Sequence, residues 1–123
     1  MTTILLVDDE DLLREGVREI LEFSDFQVIE ARDGIEALEL FAVNNVDLVI
    51  SDIVMPNMDG VDFVTKLRET FPDVPILTIS GGSRVVSARF GLDSALLSGA
   101  YASLTKPFTA KQLIEKVKSL LPA

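Results

Sequence analysis

Residues 3–22 read TILLVDDEDLLREGVREILE, and the change of pattern inside them decides the fold. Residues 3–7 (TILLV) are a continuous apolar, β-rich run, as in a strand buried on both faces. Asp8, Asp9 and Glu10 follow at once. Over residues 10–22, Leu12, Leu13, Val17, Ile20 and Leu21 then recur at helical spacing, which places them on one stripe. A buried strand that passes through an acidic turn into an amphipathic helix is one βα unit. Its adjacent carboxylates repel one another. They are either solvated groups at the positive end of the helix or ligands of a cation.

The same alternation continues. FQVIEA (26–31) is a second strand, and Asp33 caps a helix that runs to about residue 43 with Ile35, Leu38, Phe41 and Ala42 at helical spacing. DLVIS (47–51) is a third strand. A turn with Pro56 and Gly60 leads into a helix near 60–70, where Val61, Val64, Leu67 and Arg68 recur at helical intervals. PILTIS (75–80) is a fourth strand, broken by Gly81 and Gly82. Residues 84–98 read as a weakly patterned helix interrupted by Gly91. AYASLT (100–105) is a fifth strand. Thr109 and Gln112 form a capping-box signature ahead of a last helix bearing Ala110, Leu113, Ile114, Val117, Leu120 and Leu121. Five βα units predict an α/β fold with a doubly wound parallel sheet and helices on both faces. Residues 1–123 fit one domain, and the last helix ends two residues before the final residue, so no output domain is expected.

Composition removes several chemistries. The 123 residues are 48% hydrophobic, enough for a core, and contain neither cysteine nor histidine. Disulfides, thiolate or imidazole metal sites, and histidine-based acid–base catalysis are therefore excluded within this chain. Eleven basic against twenty acidic residues give a net charge of −9, which opposes nucleic-acid binding. No apolar run is long enough to span a bilayer and no signal-peptide pattern opens the chain, so a cytoplasmic location without membrane association is expected.

In doubly wound sheets, ligands bind beyond the carboxyl ends of the strands. Strand 1 ends at Asp8-Asp9, strand 3 at Ser51-Asp52, strand 4 at Ser80-Gly81-Gly82 and strand 5 at Lys106-Pro107. Each alone has a plain structural explanation as a cap, a turn or a surface residue. Together they ring one rim with carboxylates, a hydroxyl and an ammonium. Two carboxylates about 4 Å apart repel by roughly 4 kcal/mol at an effective dielectric near 20, so such a cleft calls for a cation. All-oxygen donors favour Mg²⁺. A carboxylate such as Asp52 can accept a phosphoryl group, and Lys106 and Ser80 could hold its oxygens. Gly81 leaves space and a backbone N–H beside them.

The motifs LLVDDE (5–10), DIVMPNMDG (52–60), ILTISG (76–81) and LTKPF (104–108) make the chain resemble the receiver domain of bacterial two-component response regulators, over nearly its whole length. The resemblance implies a flavodoxin-like sheet in the order 2-1-3-4-5. It implies Asp52 as phosphoacceptor, Asp9 as a direct Mg²⁺ ligand, Asp8 acting mainly through water, and Asp52 with the Val54 carbonyl completing the protein ligands. Ser80 and Lys106 would contact the phosphoryl oxygens, and the bond before Pro107 would be cis. The implied function is a phosphorylation-controlled switch that assists its own phosphorylation without being an enzyme in the ordinary sense. It would be charged by a histidine kinase or histidine phosphotransfer protein and would signal through protein contacts or phosphorelay.

Two departures from the family pattern stand out. Ser103 occupies the place of the family's switch aromatic, three residues before Lys106. Tyr101 lies on the same strand face about 6–7 Å back, either as a half-buried strand aromatic or as a partial substitute. Ser80, Tyr101, Ser103 and Pro107 are the switch and output candidates. The segment from Ser80 to Lys106 is also a few residues longer than in the family, in a region that contributes to output contacts and weak homodimers. Val54 and Gly82 offer no polar group to orient a hydrolytic water, so a long-lived phosphoryl state is expected. Two other readings compete. One is a receiver-like scaffold that is not phosphorylated. The other, an aspartyl-nucleophile phosphatase, lacks the second acid where Val54 stands. A flavin module would need a hydroxyl-rich phosphate loop after strand 1, and acids are there instead.

Overall fold

The apolar run that opens the chain lies inside the sheet, flanked on both sides. The computed structural model describes residues 1–52, 60–71, 73–80 and 101–121. Strands β1 (Thr3–Val7), β2 (Gln27–Ala31), β3 (Leu48–Asp52), β4 (Ile76–Ser80) and β5 (Tyr101–Thr105) form one parallel sheet in the order β2-β1-β3-β4-β5. This is the order the resemblance implies. The described helices are α1 (Asp11–Phe23), α2 (Gly34–Val43), α3 (Gly60–Thr70) and α4 (Ala110–Leu120). The helix expected over 84–98 lies outside the described residues.

Alternation along the inner strands splits the core between the two faces of the sheet. Leu5, Val7 and Val49 pack with Ala37 and Phe41 of α2 and with Phe63 and Leu67 of α3. Ile4, Leu6, Leu48 and Ile50 pack with Val17 and Leu21 of α1 and with Leu113 and Val117 of α4. β1 and β3 are therefore covered on both sides, which is why they read as unbroken apolar runs.

The helix ends follow the sequence signals. Asp33 accepts from the Glu36 N–H at 2.9 Å. Thr109 and Gln112 form the reciprocal capping box, at 3.1 and 2.9 Å.

The buried stripes differ from expectation on three helices. Leu12 is 85% exposed, because it lies across the helix from Val17 and Leu21, and Arg14 is buried on that arc instead. On α2 the buried positions are Gly34, Ala37 and Phe41, which turns Ile35 and Ala42 outward. On α3 the fully buried aromatic is Phe63, which the expected spacing passed over. Arg68 of that helix is buried and donates from Nη1 to the Val74 carbonyl. The side chains of Val61 and Val64 lie outside the described residues.

Candidate functional site

Parallel register brings the acidic strand ends together. Val7 pairs with Ser51, so Asp8 and Asp52 emerge side by side at the carboxyl edge of the sheet. Asp52 in turn pairs with Ile79, and Ser80 with Thr105, which places Lys106 on the same edge. Asp8 is 3% exposed and Asp52 6%. Lys106 Nζ stands 3.2 Å from Asp52 Oδ2.

Carboxylate oxygens of Asp8, Glu10 and Asp52 all lie within 4.8 Å of one another. The expected members Asp8 and Asp52 are thus brought together, and the third acid in the group is Glu10. Asp9, singled out by the resemblance, is exposed and outside that group. Glu10 is the N-cap residue of α1, yet its side chain makes no capping hydrogen bond. Its place in the run of three acids was the available sequence signal. Which acid of the run comes near Asp8 and Asp52 depends on the turn, and that turn is closed by the Glu10 N–H donating to Asp8 Oδ1 at 2.9 Å.

Burial pushes the Asp8 carboxyl up to about 6 from 3.8. The Glu10 N–H opposes the rise, the Asp52 charge adds to it, Lys106 opposes it, and the Glu10 charge adds again. Two buried carboxylates and a third at the rim, with one ammonium on Asp52, form an electronegative all-oxygen cradle. Its donor chemistry fits a hard divalent cation.

A basic residue absent from the sequence reading completes the turn. Arg14 donates from Nη1 to the Asp8 carbonyl at 2.7 Å, from Nη2 to Asp11 Oδ1 at 2.8 Å and from Nε to Glu30 Oε1 at 3.1 Å. Its only sequence signal was the Asp11–Arg14 spacing of an i,i+3 ion pair.

The remaining expected site residues are placed less fully. Ser80 ends β4 and Tyr101 opens β5, but their side chains lie outside the described residues, as do Val54, Gly81 and Gly82 entirely. Ser103 pairs with Thr78 and is exposed. The Lys106–Pro107 bond is cis, as the resemblance implies. No described helix is long and apolar enough to cross a membrane.

The comparisons with known proteins give the family and agree with the fold. A family model for the response regulator receiver domain matches residues 4–118. Response regulator MprA of Mycobacterium sp. (strain KMS) is 40% identical over 118 residues, covering 96% of this chain and 50% of MprA. MprA of Mycobacterium leprae is 38% identical over the same shares. The chain spans about half the length of the curated relatives it matches. Among solved structures, the chemotaxis protein CheY4 of Vibrio cholerae superposes with a TM-score of 0.87 at 32% identity, covering 98% of this chain and 99% of CheY4. Response regulator TrrA of Thermotoga maritima, solved in complex with Mg(2+)-BeF, superposes with a TM-score of 0.85 at 35% identity, covering 98% and 100%.

Proposed function

The chain belongs to the family of response regulator receiver domains, which are signalling switches, and on that premise we propose that Asp52 accepts a phosphoryl group and so toggles its contacts with a partner protein. One observation carries the reading: a buried carboxylate at the end of β3 with an ammonium at 3.2 Å and two further acids within 4.8 Å. Asp52 would attack the phosphorus of a phosphohistidine on a histidine kinase or phosphotransfer protein. The P–N bond breaks, the imidazole nitrogen leaves with the bonding pair, and an aspartyl phosphate forms. Lys106 is poised to move from the Asp52 oxygen to the incoming phosphoryl oxygens.

Mg²⁺ is the proposed cofactor. The Thermotoga relative was solved with it, and the oxygen donors of Asp8, Glu10 and Asp52 suit it. Asp9 and the Val54 carbonyl would complete the proposed ligand set, and Ser80 and Gly81 the phosphoryl contacts. When bound, the ion supplies positive charge that offsets the repulsion between Asp52 and an anionic donor. Asp8 and Glu10 would hold it there, and burial of Asp8 and Asp52 would keep bulk water from screening it. Phosphorylation would add about −1.5 to −2 charge and bias a two-state equilibrium read by protein contacts.

The test is intact mass after incubation with acetyl phosphate and Mg²⁺. One added phosphoryl group, lost in Asp52→Asn and with a chelator, is the expected result. Incorporation that survives Asp52→Asn would overturn the assignment.

A further inference from the structure

Arg14 is 9% exposed, and a guanidinium is costly to bury unless its donors are satisfied. Two of its bonds go to carboxylates, Asp11 on its own helix and Glu30 on β2. Glu30 is itself held on its other oxygen by Arg18 Nη1 at 2.9 Å. A clamp between α1 and β2 needs nothing more than these. The third and shortest bond goes elsewhere, to the backbone carbonyl of Asp8 at 2.7 Å. That peptide lies just past the end of β1. Its N–H still continues the ladder by donating to the Ala31 carbonyl at 3.0 Å, while its C=O turns to Arg14.

We infer that Arg14 is a positioning residue for the cation site. By holding the Asp8 carbonyl it fixes the peptide from which Asp8 turns toward Asp52, and hence the short turn that delivers Glu10 two residues later. The inference rests on the proposed cation reading of these acids. Geometry and charge make opposite demands here. A cation near three carboxylates weakens the binding of another cation, so if Arg14 acted through its charge, removing it would tighten Mg²⁺ binding. If it acts by holding the turn, removing it loosens Mg²⁺ binding. Groups that orient ligands from outside the coordination shell are typically worth about 10–100-fold in metal affinity.

The experiment is a calorimetric titration of the full chain with Mg²⁺ alone, on wild type, Arg14→Met, Arg14→Lys and Glu30→Gln. Amide hydrogen exchange on the metal-free proteins accompanies it. Arg14→Met should raise the Kd for Mg²⁺ about tenfold. It should also speed exchange at the Glu10 amide while leaving core amides, such as that of Ile50, protected. Arg14→Lys, which can return one donor to the carbonyl, should recover part of the affinity. If Arg14→Met does not fold, Arg14→Lys carries the test: it keeps the positive charge, so a partial weakening of Mg²⁺ binding there reports the loosened turn, whereas Glu30→Gln removes an anion and serves as the comparison for a charge effect alone. Unchanged or tighter Mg²⁺ binding in a folded Arg14 variant would overturn the inference while leaving the site reading intact. A wild type that binds no Mg²⁺ would overturn both.

Discussion

Lys106 Nζ stands 3.2 Å from Asp52 Oδ2, across 54 residues of sequence, so an ammonium faces the buried carboxylate directly. It has two opposed effects on the proposed chemistry. It competes with a metal ion for the electronegative cleft, and it offers a donor to the transferred oxygens. Lys106→Met should therefore tighten Mg²⁺ binding severalfold yet slow phosphoryl incorporation from acetyl phosphate by roughly 100-fold, the usual cost of losing one such donor. Mg²⁺ titration and a mass time course read the two effects separately. Movement of both in the same direction would contradict this role.

Asp8 makes metal-free stability depend on pH with a definite sign. Its carboxyl titrates near 3.8 when unperturbed and at about 6 in the fold, chiefly because burial disfavours the anion. The folded state therefore keeps a proton that the unfolded chain has released. The resulting stabilisation is fully present below 3.8 and is lost as pH rises through about 6. With a chelator present, denaturant melts should show wild type losing on the order of 1–3 kcal/mol relative to Asp8→Asn across that window. Saturating Mg²⁺ should reverse the trend, since the ionised carboxylate is the form that binds. A flat difference with chelator would remove Asp8 as its source.

Gly16 sits in the interior of α1, and a Cβ built there meets nothing within 4 Å. Neither packing nor backbone conformation requires a glycine. Gly16→Ala should stabilise the protein by about 0.5–1 kcal/mol, raising Tm by a few degrees. A denaturant midpoint that rises with an unchanged slope would check it.

The corrected stripes predict a contrast between two apolar residues. Phe63 is fully buried against the β1–β3 face of the sheet, and Phe63→Ala should cost about 3–5 kcal/mol. Leu12→Ala, at a position 85% exposed, should stay within about 0.5 kcal/mol. Similar losses in the two variants would restore the stripe read from sequence.

The five strands and the gathering of their acidic ends at one edge were legible from period and position, whereas the strand order came only through the family resemblance. An unbroken apolar run marks a strand covered on both faces, and parallel register carries strand ends to one edge. Arg14, Glu10 and Phe63 were less legible. Apolar spacing ranks residues by hydrophobicity, whereas burial is decided by helix angle and by whether partners exist. Arg14 is interior because three acceptors meet it, and two of these are distant in space until β1, β2 and α1 have docked. That Glu10 rather than Asp9 lies within reach of Asp8 and Asp52 goes with the local turn, which the Glu10 N–H closes on Asp8 Oδ1, and apolar spacing carries no information on it.

The described strands pair only in parallel, so among them there is no hairpin from which the sheet can grow, and each pairing waits for a crossover. The Lys106–Asp52 contact therefore has no local precursor. On the ribosome, a chain that has released β1 through β4 would already carry its acidic strand ends but not the ammonium that faces them. The pair closes only once Lys106 has cleared the exit tunnel, so its formation reports that the last strand has joined the sheet.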